Sequence, residues 1–458
     1  MGAQLIHSFI HHSPTIQNIF RVSDIRGVWG DDLDEGAAYL IGRAIVVYLK
    51  AKRVLVGRDM RTSSIPLCDA LVRGIRDQGA DVIDMGLCST PMFYWATQKY
   101  EAGVMVTASH NPPKYNGFKI CRDGVHPVWD VALKELEQLV LKADFPACDR
   151  QGSYSEISLL PDYIKNNLSF LKTDKKFRIV VDAGNGMGGY VYDGLMKHGP
   201  KNLDIIPMYF ELDGTFPNHE ANPLKSETCK ALQQRVLAEK ADLGVALDGD
   251  GDRIFFIDEK GQWLCADFTT VLIAKQVLAE HPHGRIVYGI CQSRIVREEI
   301  LASGGVPILC KVGHAFYKTK MLETGAAFGA EHSGHFFNAE QQNTENTQVI
   351  LFRLLNLLAK EGKMLSEAVE PLRRYVKMDE VNFTVKDGKA IMERLRQEYA
   401  HAAKDVITLD GLRMEFEDWW FAVRPSNNEP LLRLNLECKT DAMLRERFGE
   451  LSGKITRK

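Results

Sequence analysis

The sequence predicts an α/β fold built from several domains. Short apolar runs that end in glycine or acidic residues alternate with segments of helical periodicity, a pattern typical of parallel sheets covered by helices. The chain has 458 residues, which is more than one hydrophobic core usually supports. From about residue 375 the pattern changes to strands between two helices. We therefore expect three related α/β domains with mixed sheets, followed by a smaller C-terminal α+β domain.

The individual elements follow from the same periodicities. In the first domain the pattern predicts helices near 36–51 and 65–78 and strands at 54–57, 81–85 and 103–107. The polar run 147–155 is typical of a linker. Further on, we expect strands at 178–182 and 285–289, helices near 294–302 and 349–361, and C-terminal strands at 380–385, 420–424 and 431–437. The predicted domains are 1–152, 153–258, 259–372 and 373–458.

Composition limits the classes of partner. The 57 basic and 60 acidic residues give a formal net charge of −3, which provides no general attraction to nucleic acid or to an anionic membrane. Any anion must then be held by a local site. The nine cysteines form no CxxC pair, and we interpret them as buried thiols in a reducing compartment. The first residues lack the features of a signal peptide, so a cytoplasmic location is expected.

Three aspartates alternate with glycines in the segment 248–253, which reads DGDGDR between two apolar runs. The side chains of Asp248, Asp250 and Asp252 can converge on one hard cation, and such a loop suits Mg²⁺. An EF-hand is one alternative, because Glu259 falls at its twelfth position, but Arg253 stands where that loop needs glycine. A solvated acidic turn is another alternative.

A second polar segment, 107–119, follows the apolar strand of the first domain and reads TASHNPPKYNGFK. Ser109 at the carboxyl end of a buried strand has the position of a nucleophile or phosphate carrier in an α/β enzyme. Alone, a turn formed by Ser, Asn and Pro would be the simpler interpretation. The concentration of Ser109, His110, Asn111 and Lys119 in one segment favours a functional loop.

Two more clusters carry binding chemistry. Glu331, Ser333 and His335, preceded by His314, combine groups that can hold several sugar hydroxyls, with a zinc site as the alternative. The last cluster can hold a phosphate dianion through guanidinium, hydroxyl and amide groups, although an Asn-rich turn has the same composition. It consists of Arg424, Ser426, Asn427 and Asn428.

A glycine-rich loop at 184–189 matches the dinucleotide-binding pattern GxGxxG. Asp204 lies about 20 residues beyond its first glycine, as that pattern requires. However, Asp204 precedes the next predicted strand instead of ending it, and Glu211 comes late. Nicotinamide binding is therefore the weaker interpretation.

Taken in this order, the four loops resemble those of the α-D-phosphohexomutase family, in particular its phosphomannomutase/phosphoglucomutase branch. The resemblance runs from the DIRG segment at 24–27 to the RPSNNEP segment at 424–430. It implies four domains around a central cleft, with the domains contributing in turn the phosphoserine loop, the metal loop, the sugar-binding loop and the phosphate-binding loop.

The resemblance also implies roles for single residues. Ser109 would be the phosphorylated serine, and Ser109, Asp248, Asp250 and Asp252 would hold one Mg²⁺ per chain. The catalytic group would further contain Arg26, Arg253, Lys119, His110 and His314. Substrate binding would fall to Glu331, Ser333, His335, Arg424, Ser426, Asn427 and Asn428.

The chain departs from the family pattern at a few positions. Asn428 stands where threonine is usual, and Ser23 replaces a frequent tyrosine. Ile290 falls about where some members have a cleft lysine. The segment 340–348 lacks the paired aspartates often found there.

The implied activity is the interconversion of hexose 1-phosphate and hexose 6-phosphate, with mannose and/or glucose as the sugar. A hexose 1,6-bisphosphate would be the intermediate and activator, and the partners would be small hexose phosphates, without nucleic acid or membrane. The expected assembly is a monomer or a weak homodimer. A serine-dependent sugar phosphatase and a non-catalytic sugar-phosphate-binding paralogue are the alternatives.

Overall fold

A computed structural model describes residues 16–425 and 431–457. The chain divides into two units. Unit 1 consists of Met1–Cys265 and Ser333–Ser366, and unit 2 consists of Ala266–His332 and Glu367–Lys458. None of the helices in the described ranges combines the length and the apolar character needed to cross a membrane.

The first part of unit 1 contains a seven-stranded mixed sheet. Its strands are β1 (Ile25–Val28), β2 (Arg53–Arg58), β3 (Asp81–Leu87), β4 (Ala102–Val106), β5 (Tyr115–Arg122), β6 (His126–Pro127) and β7 (Tyr154–Glu156). Its helices are the short 3-10 helix Ile16–Ile19, α1 (Glu35–Leu49), α2 (Ser64–Asp77), α3 (Thr90–Thr97) and α4 (Val131–Lys142). The strand order is β1-β5-β4-β2-β3-β7, with β6 beside β5. Strands β2 and β4 are largely buried and read as nearly continuous apolar runs, as is usual for parallel strands covered by helices.

The second part of unit 1 contains a five-stranded sheet of order β12-β11-β10-β8-β9. Its strands are β8 (Phe177–Asp182), β9 (Leu203–Met208), β10 (Leu243–Leu247), β11 (Ile254–Asp258) and β12 (Trp263–Leu264). The accompanying helices are α5 (Leu160–Leu168), α6 (Met187–His198), the 3-10 helix Ser226–Cys229 and α7 (Lys230–Glu239).

The next segment of the chain begins unit 2. It runs through α8 (Ala266–Glu280), β13 (Arg285–Gly289), α9 (Arg294–Ala302), β14 (Val306–Cys310), α10 (His314–Thr324) and β15 (Phe328–Ala330). Strand β13 is parallel to both β14 and β15. The chain then returns to unit 1 with β16 (Phe336–Asn338), the 3-10 helix Ala339–Gln341, β17 (Thr344–Glu345) and α11 (Thr347–Glu361), followed by α12 (Leu365–Val369) at the boundary of the units.

The C-terminal part of unit 2 is an antiparallel sheet with two helices. After the 3-10 helix Glu370–Leu372 come β18 (Val376–Lys377), β19 (Val381–Thr384), α13 (Gly388–Tyr399), β20 (Asp405–Ile407), β21 (Leu412–Glu415), β22 (Trp419–Pro425), β23 (Leu431–Cys438) and α14 (Asp441–Thr456). A cluster of stacked aromatic rings fills its core, with the rings of Phe416 and Trp419 4.1 Å apart. The expected smaller α+β domain is confirmed.

Three segments of the chain repeat one arrangement of strands. In each, a central strand is parallel to the next two strands of the chain: β2 to β3 and β4, β8 to β9 and β10, and β13 to β14 and β15. In each, a polar loop follows the third strand, namely 107–114, 248–253 and 331–335. The three related α/β segments expected from the sequence are therefore present. This repeat puts the predicted site loops at equivalent positions, at the carboxyl end of the third strand.

Some details differ from the sequence-based expectations. The serine loop ends at residue 114, because 115–122 form β5, and Gly117 of β5 passes so close to β1 that a Cβ would lie 2.0 Å from the carbonyl oxygen of Ile25. The polar run 147–155 is only partly a linker, since β7 pairs with β3. The cysteines are free thiols, but Cys148 is exposed and Cys265 is partly exposed, so the prediction that all nine are buried is wrong.

Candidate active site

The loop between β4 and β5 holds Ser109 in a strained backbone conformation. Its φ is +51°, in the left-handed region that residues other than glycine rarely adopt. The backbone N–H of Ser109 donates to Oγ1 of Thr107 at 3.0 Å, which fixes the turn. The residue is 4% exposed, and its Oγ donates a hydrogen bond to Oδ2 of Asp248 at 2.9 Å.

The loop between β10 and β11 is closed by its first aspartate. Oδ1 of Asp248 accepts hydrogen bonds from the backbone N–H groups of Gly251, Asp252 and Arg253, each at 3.1 Å. Three backbone donors on one carboxylate oxygen define a tight turn and leave the other oxygen facing Ser109. Gly249 also touches the serine loop, since a Cβ on it would lie 2.4 Å from the carbonyl oxygen of Ser109.

Lys119, on β5, donates hydrogen bonds to two carboxylates of the acidic loop. Its Nζ donates to Oδ2 of Asp250 at 2.7 Å and to Oδ2 of Asp252 at 2.6 Å. Oδ2 of Asp250 also accepts a hydrogen bond from Thr90 Oγ1 at 2.6 Å. Although burial opposes both shifts, the ion pair raises the pKa of Lys119 and holds the pKa of Asp252 well below its usual range. The lysine is therefore charged and compensates part of the negative charge.

Asp248 differs electrostatically from its neighbours. Burial, together with the carboxylates of Asp252 and Asp250, raises the pKa of Asp248 to about 8. The cause is the confinement of three buried carboxylates, each at most 2% exposed, with like charges close together. A further positive charge is needed to keep all three ionised at neutral pH.

The three carboxylates form a group that fits a metal ion. One oxygen from each of Asp248, Asp250 and Asp252 lies within 4.8 Å of the others. Oδ1 of Asp250 is buried and accepts no hydrogen bond from any residue in the described part of the chain. Hard oxygen donors in this number suit Mg²⁺ or Ca²⁺.

Two alternative interpretations of this loop are wrong. The carboxylates are buried, so the loop is not a solvated acidic turn. It is also not an EF-hand, because it joins two antiparallel strands and Glu259 accepts a hydrogen bond from the backbone of Ser366 at 3.1 Å.

Positive and imidazole groups surround the serine hydroxyl. Nδ1 of His110 lies 3.2 Å from Ser109 Oγ. Burial, and then the charges of Arg253 and Arg26, hold the pKa of His110 well below its usual range, so this imidazole is neutral. Arg26 donates through Nη1 to the carbonyl oxygen of Ala108 at 3.1 Å, which ties it to the serine loop.

Arg253 and the segment 333–335 meet within unit 1. Nε of Arg253 lies 3.7 Å from Oδ2 of Asp248 and donates to Nε2 of His335 at 3.3 Å. His335 in turn lies 3.3 Å from Oδ1 of Asp252, and its Nδ1 is 2.9 Å from Ser333 Oγ. Unit 1 therefore brings together Ser109, His110, Lys119, Arg26, Arg253, the three aspartates, Ser333 and His335.

The remaining predicted residues belong to unit 2. Glu331 follows β15, is 2% exposed and accepts a hydrogen bond from the backbone N–H of Gly313 at 2.9 Å. His314 is the first residue of α10. Arg424 lies on β22, with its Nη2 3.8 Å from Oε2 of Glu380. The other predicted members of its cluster, Ser426, Asn427 and Asn428, lie outside the described residues.

The glycine-rich loop at 184–189 has a structural role. A Cβ on Gly186 would lie 2.6 Å from the carbonyl oxygen of Gly249, and that oxygen accepts a hydrogen bond from Met187 at 2.9 Å. The glycines thus allow this loop to pack against the acidic loop. Asp204 lies on β9 and pairs with Arg178 at 3.6 Å, so the arrangement gives no support to the dinucleotide interpretation.

The segment 340–348, which lacks the paired aspartates of the family pattern, contains a buried glutamate. Glu345 is buried and lies, with Asp252 and His335, in a second group whose ligand atoms are within 4.8 Å of one another. Asn346 caps α11 and donates to Asn167 at 2.9 Å. A buried glutamate of this segment therefore lies beside Asp252 of the acidic loop.

Some site residues were missed at the sequence level. Thr90, at the start of α3, bonds Asp250, and Glu345 lies beside Asp252. Arg61 donates a hydrogen bond to the backbone of Ser109, and Asp59 forms an ion pair with Arg61. The signal for the last two was present, because the segment DMRTSS directly follows β2 just as the serine loop follows β4.

The chain matches four domain families along its length. Residues 17–147, 161–261 and 266–375 match phosphoglucomutase/phosphomannomutase alpha/beta/alpha domains I, II and III. Residues 380–452 match the phosphoglucomutase/phosphomannomutase C-terminal domain.

Similar proteins cover nearly the same length. Phosphomannomutase from Salmonella montevideo is 35% identical over 438 residues, which are 93% of this chain and 96% of that protein. Phosphomannomutase/phosphoglucomutase from Pseudomonas aeruginosa is 37% identical over 94% of each chain. A crystal structure of a phosphoglucomutase/phosphomannomutase family protein from Burkholderia thailandensis has a TM-score of 0.88 at 31% identity and covers 96% of this chain and 98% of its own. The chain therefore belongs to the phosphoglucomutase/phosphomannomutase family of phosphohexomutases.

Proposed function

We propose that the protein interconverts hexose 1-phosphate and hexose 6-phosphate, with mannose and/or glucose as the sugar, through a phosphoserine at Ser109 and a hexose 1,6-bisphosphate. The observation that carries this proposal is the hydrogen bond of 2.9 Å from Ser109 Oγ to Asp248, inside a buried group of three carboxylates. A hydroxyl that faces metal-binding carboxylates and cationic side chains has the surroundings that a phosphoryl carrier needs.

Asp248, Asp250 and Asp252, together with the phosphate on Ser109, would hold one Mg²⁺. The fit is supported by the hard oxygen donors, by the buried and unbonded Oδ1 of Asp250 and by the raised pKa of Asp248. When bound, the ion would supply compensation for the charge that develops during phosphoryl transfer. It would also allow all three carboxylates to remain ionised.

The protein's own cations would do the rest of the charge compensation. Phosphoryl transfer depends mainly on in-line positioning and on stabilisation of negative charge. Arg26 and Arg253 would flank the phosphoryl group on Ser109, and Lys119 would neighbour it. The neutral state of His110 suits a group that takes or returns the proton of an attacking hydroxyl, with His314 as the second candidate for proton transfer.

The reaction would consist of two phosphoryl transfers at the same site, one from Ser109 to the sugar and one from the sugar back to Ser109. Phospho-Ser109 would donate its phosphoryl group to the free hydroxyl of the substrate, which gives the bisphosphate and the free serine. The serine would then receive the phosphoryl group from the other end of the sugar, after the bisphosphate has turned. Glu331, Ser333 and His335 would bind sugar hydroxyls during these steps. Arg424, Ser426, Asn427 and Asn428 would hold the phosphate that is not reacting.

Two alternatives predict different products. A serine-dependent phosphatase would release phosphate to water, and a non-catalytic paralogue would bind hexose phosphates without turnover. The test is incubation with mannose 1-phosphate or glucose 1-phosphate, Mg²⁺ and a trace of the matching 1,6-bisphosphate. We expect the 6-phosphate sugar without stoichiometric free phosphate. Free phosphate without a 6-phosphate sugar would favour the phosphatase, and binding without either product would favour the paralogue.

A further inference from the structure

Arg61 lies in the loop that follows β2 and contacts the Ser109 loop. The residue is 1% exposed, and its guanidinium donates to four backbone carbonyl oxygens of that loop. Nη2 donates to Ser109 at 2.8 Å and to Asn111 at 2.7 Å. Nη1 donates to Pro112 at 2.9 Å and to Tyr115 at 3.0 Å. One planar group thus holds the loop from the serine to the first residue of β5.

The guanidinium is itself fixed by a buried carboxylate. Nε of Arg61 lies 3.2 Å from Oδ2 of Asp59, and both side chains are 0% exposed. Oδ1 of Asp59 accepts hydrogen bonds from the backbone of Arg61 at 3.0 Å and from Ser64 Oγ at 2.5 Å. The backbone N–H of Asp59 donates to Val106 on the neighbouring strand at 3.0 Å. The charge of Arg61 is therefore compensated, and its position is tied to the sheet.

The carbonyl of Ser109 is the point where the two loops meet. On one side it accepts the hydrogen bond from Arg61, and on the other side it lies against Gly249. The ring of Phe216 lies 5.1 Å from the guanidinium of Arg61, and a Cβ on Gly214 would be 2.6 Å from the Cα of Arg61. A displacement of this carbonyl would move the Ser109 hydroxyl relative to the acidic loop.

We propose that Arg61 is a positioning residue for the phosphoryl carrier. It holds Ser109 in its left-handed conformation, with φ of +51°, so that the hydroxyl stays in register with Asp248. This inference rests on the proposed function. Arg61 bonds the main chain of Ser109 and not its hydroxyl. It should therefore affect the rate of phosphoryl transfer and not the binding of the sugar. A misplacement of about 1 Å in such a site lowers the rate about 100-fold.

Arg61→Lys tests this role, because lysine keeps the charge but cannot bond four carbonyls in one plane. We expect kcat to fall about 100-fold while KM for the hexose phosphate changes less than about threefold. The rate at which a 1,6-bisphosphate phosphorylates Ser109, followed by mass spectrometry, should fall in parallel. The control is Arg76→Lys. Arg76 also donates to a backbone carbonyl, that of Gly152 at 2.9 Å, but away from the serine loop. The kcat of the Arg76→Lys variant should stay at the wild-type value.

Phe216→Leu is the second variant and removes the aromatic ring that lies 5.1 Å from the guanidinium. If Arg61→Lys does not fold, a smaller loss of kcat at constant KM in Phe216→Leu supports the inference, and wild-type kcat overturns it. A folded Arg61→Lys enzyme with wild-type kcat, or with equal effects on kcat and KM, also overturns it. A wild-type protein that binds hexose phosphates but never converts them contradicts the proposed function instead.

Discussion

Replacement of Lys119 by methionine is expected to destabilise the protein, because the buried carboxylates would lose their compensating cation. The ammonium lies 2.7 Å from Asp250 and 2.6 Å from Asp252, whose side chains are 0% and 2% exposed. Methionine keeps the unbranched apolar stem of lysine, so packing changes little while the charge is removed. Breaking a buried pair in this way costs about 3–5 kcal/mol.

Mg²⁺ should restore part of this loss. At a free concentration one hundred times its Kd, a ligand that binds only the folded state stabilises it by about 2.7 kcal/mol. We expect the Lys119→Met variant to gain more from Mg²⁺ than the wild type, because its acidic loop has lost the competing ammonium. The assay is thermal unfolding followed by circular dichroism, in EDTA and across a Mg²⁺ titration.

Lys114→Met is the matched control for this prediction. Lys114 is the last residue before β5, the strand that carries Lys119, but it is exposed, with its Nζ 5.6 Å from the ring of Tyr115. Its Tm should stay close to that of the wild type. If Lys119→Met unfolds at the same temperature as Lys114→Met, and Mg²⁺ raises the Tm of both equally, the account of the charge balance in the acidic loop is refuted.

Three further predictions concern other residues. Asp250→Asn should raise the Mg²⁺ concentration needed for half-maximal activity, because it removes a hard anionic ligand, and an unchanged titration would exclude Asp250 from the metal site. Gly249→Ala should lower kcat about 100-fold, since the added Cβ would lie 2.4 Å from the carbonyl oxygen of Ser109; wild-type kcat would show that the two loops can separate freely. His219→Gln tests stability against pH. Burial alone would lower the pKa of His219. The hydrogen bond with Asp182 and the charge of Asp182 outweigh burial and raise this pKa above its usual value. The protonated pair therefore stabilises the fold below the unfolded-state pKa of about 6.5, and this contribution is lost as pH rises through the folded-state pKa. The Tm difference between wild type and variant should shrink as the pH rises above about 6.5, and a difference independent of pH would contradict the ion pair.

The sequence allowed the fold and much of the site to be predicted where the signal is local. Strands such as β8 and β13 are apolar runs that end in a polar loop, and the alternation of aspartate with glycine at 248–252 is visible without any neighbour. The loops 107–114 and 248–253 hold equivalent positions because the same strand arrangement recurs, a repeat that the order of elements suggested. Their contact through Ser109 and Asp248 is a tertiary feature.

The missed features depend on tertiary contacts. The position of Arg61 just beyond β2 was visible in the sequence, but its four hydrogen bonds were not, because they join it to residues about 50 positions further along the chain. The strand β5 was missed because its residues follow the serine loop directly and form a strand only between β1 and β4. The exposure of Cys148 was likewise invisible, because exposure depends on what packs beside a residue.

The transfer of the phosphoryl group through Ser109 is the central claim, and isotopic labelling tests it most directly. The protein is incubated with a ³²P-labelled hexose 1,6-bisphosphate, and the labelled peptide is identified by mass spectrometry. A chase with unlabelled hexose 1-phosphate follows. We expect label on Ser109 and its complete transfer to the sugar in the chase. Conversion of hexose 1-phosphate to hexose 6-phosphate with no label on Ser109 would contradict the account, as would release of all the label as inorganic phosphate.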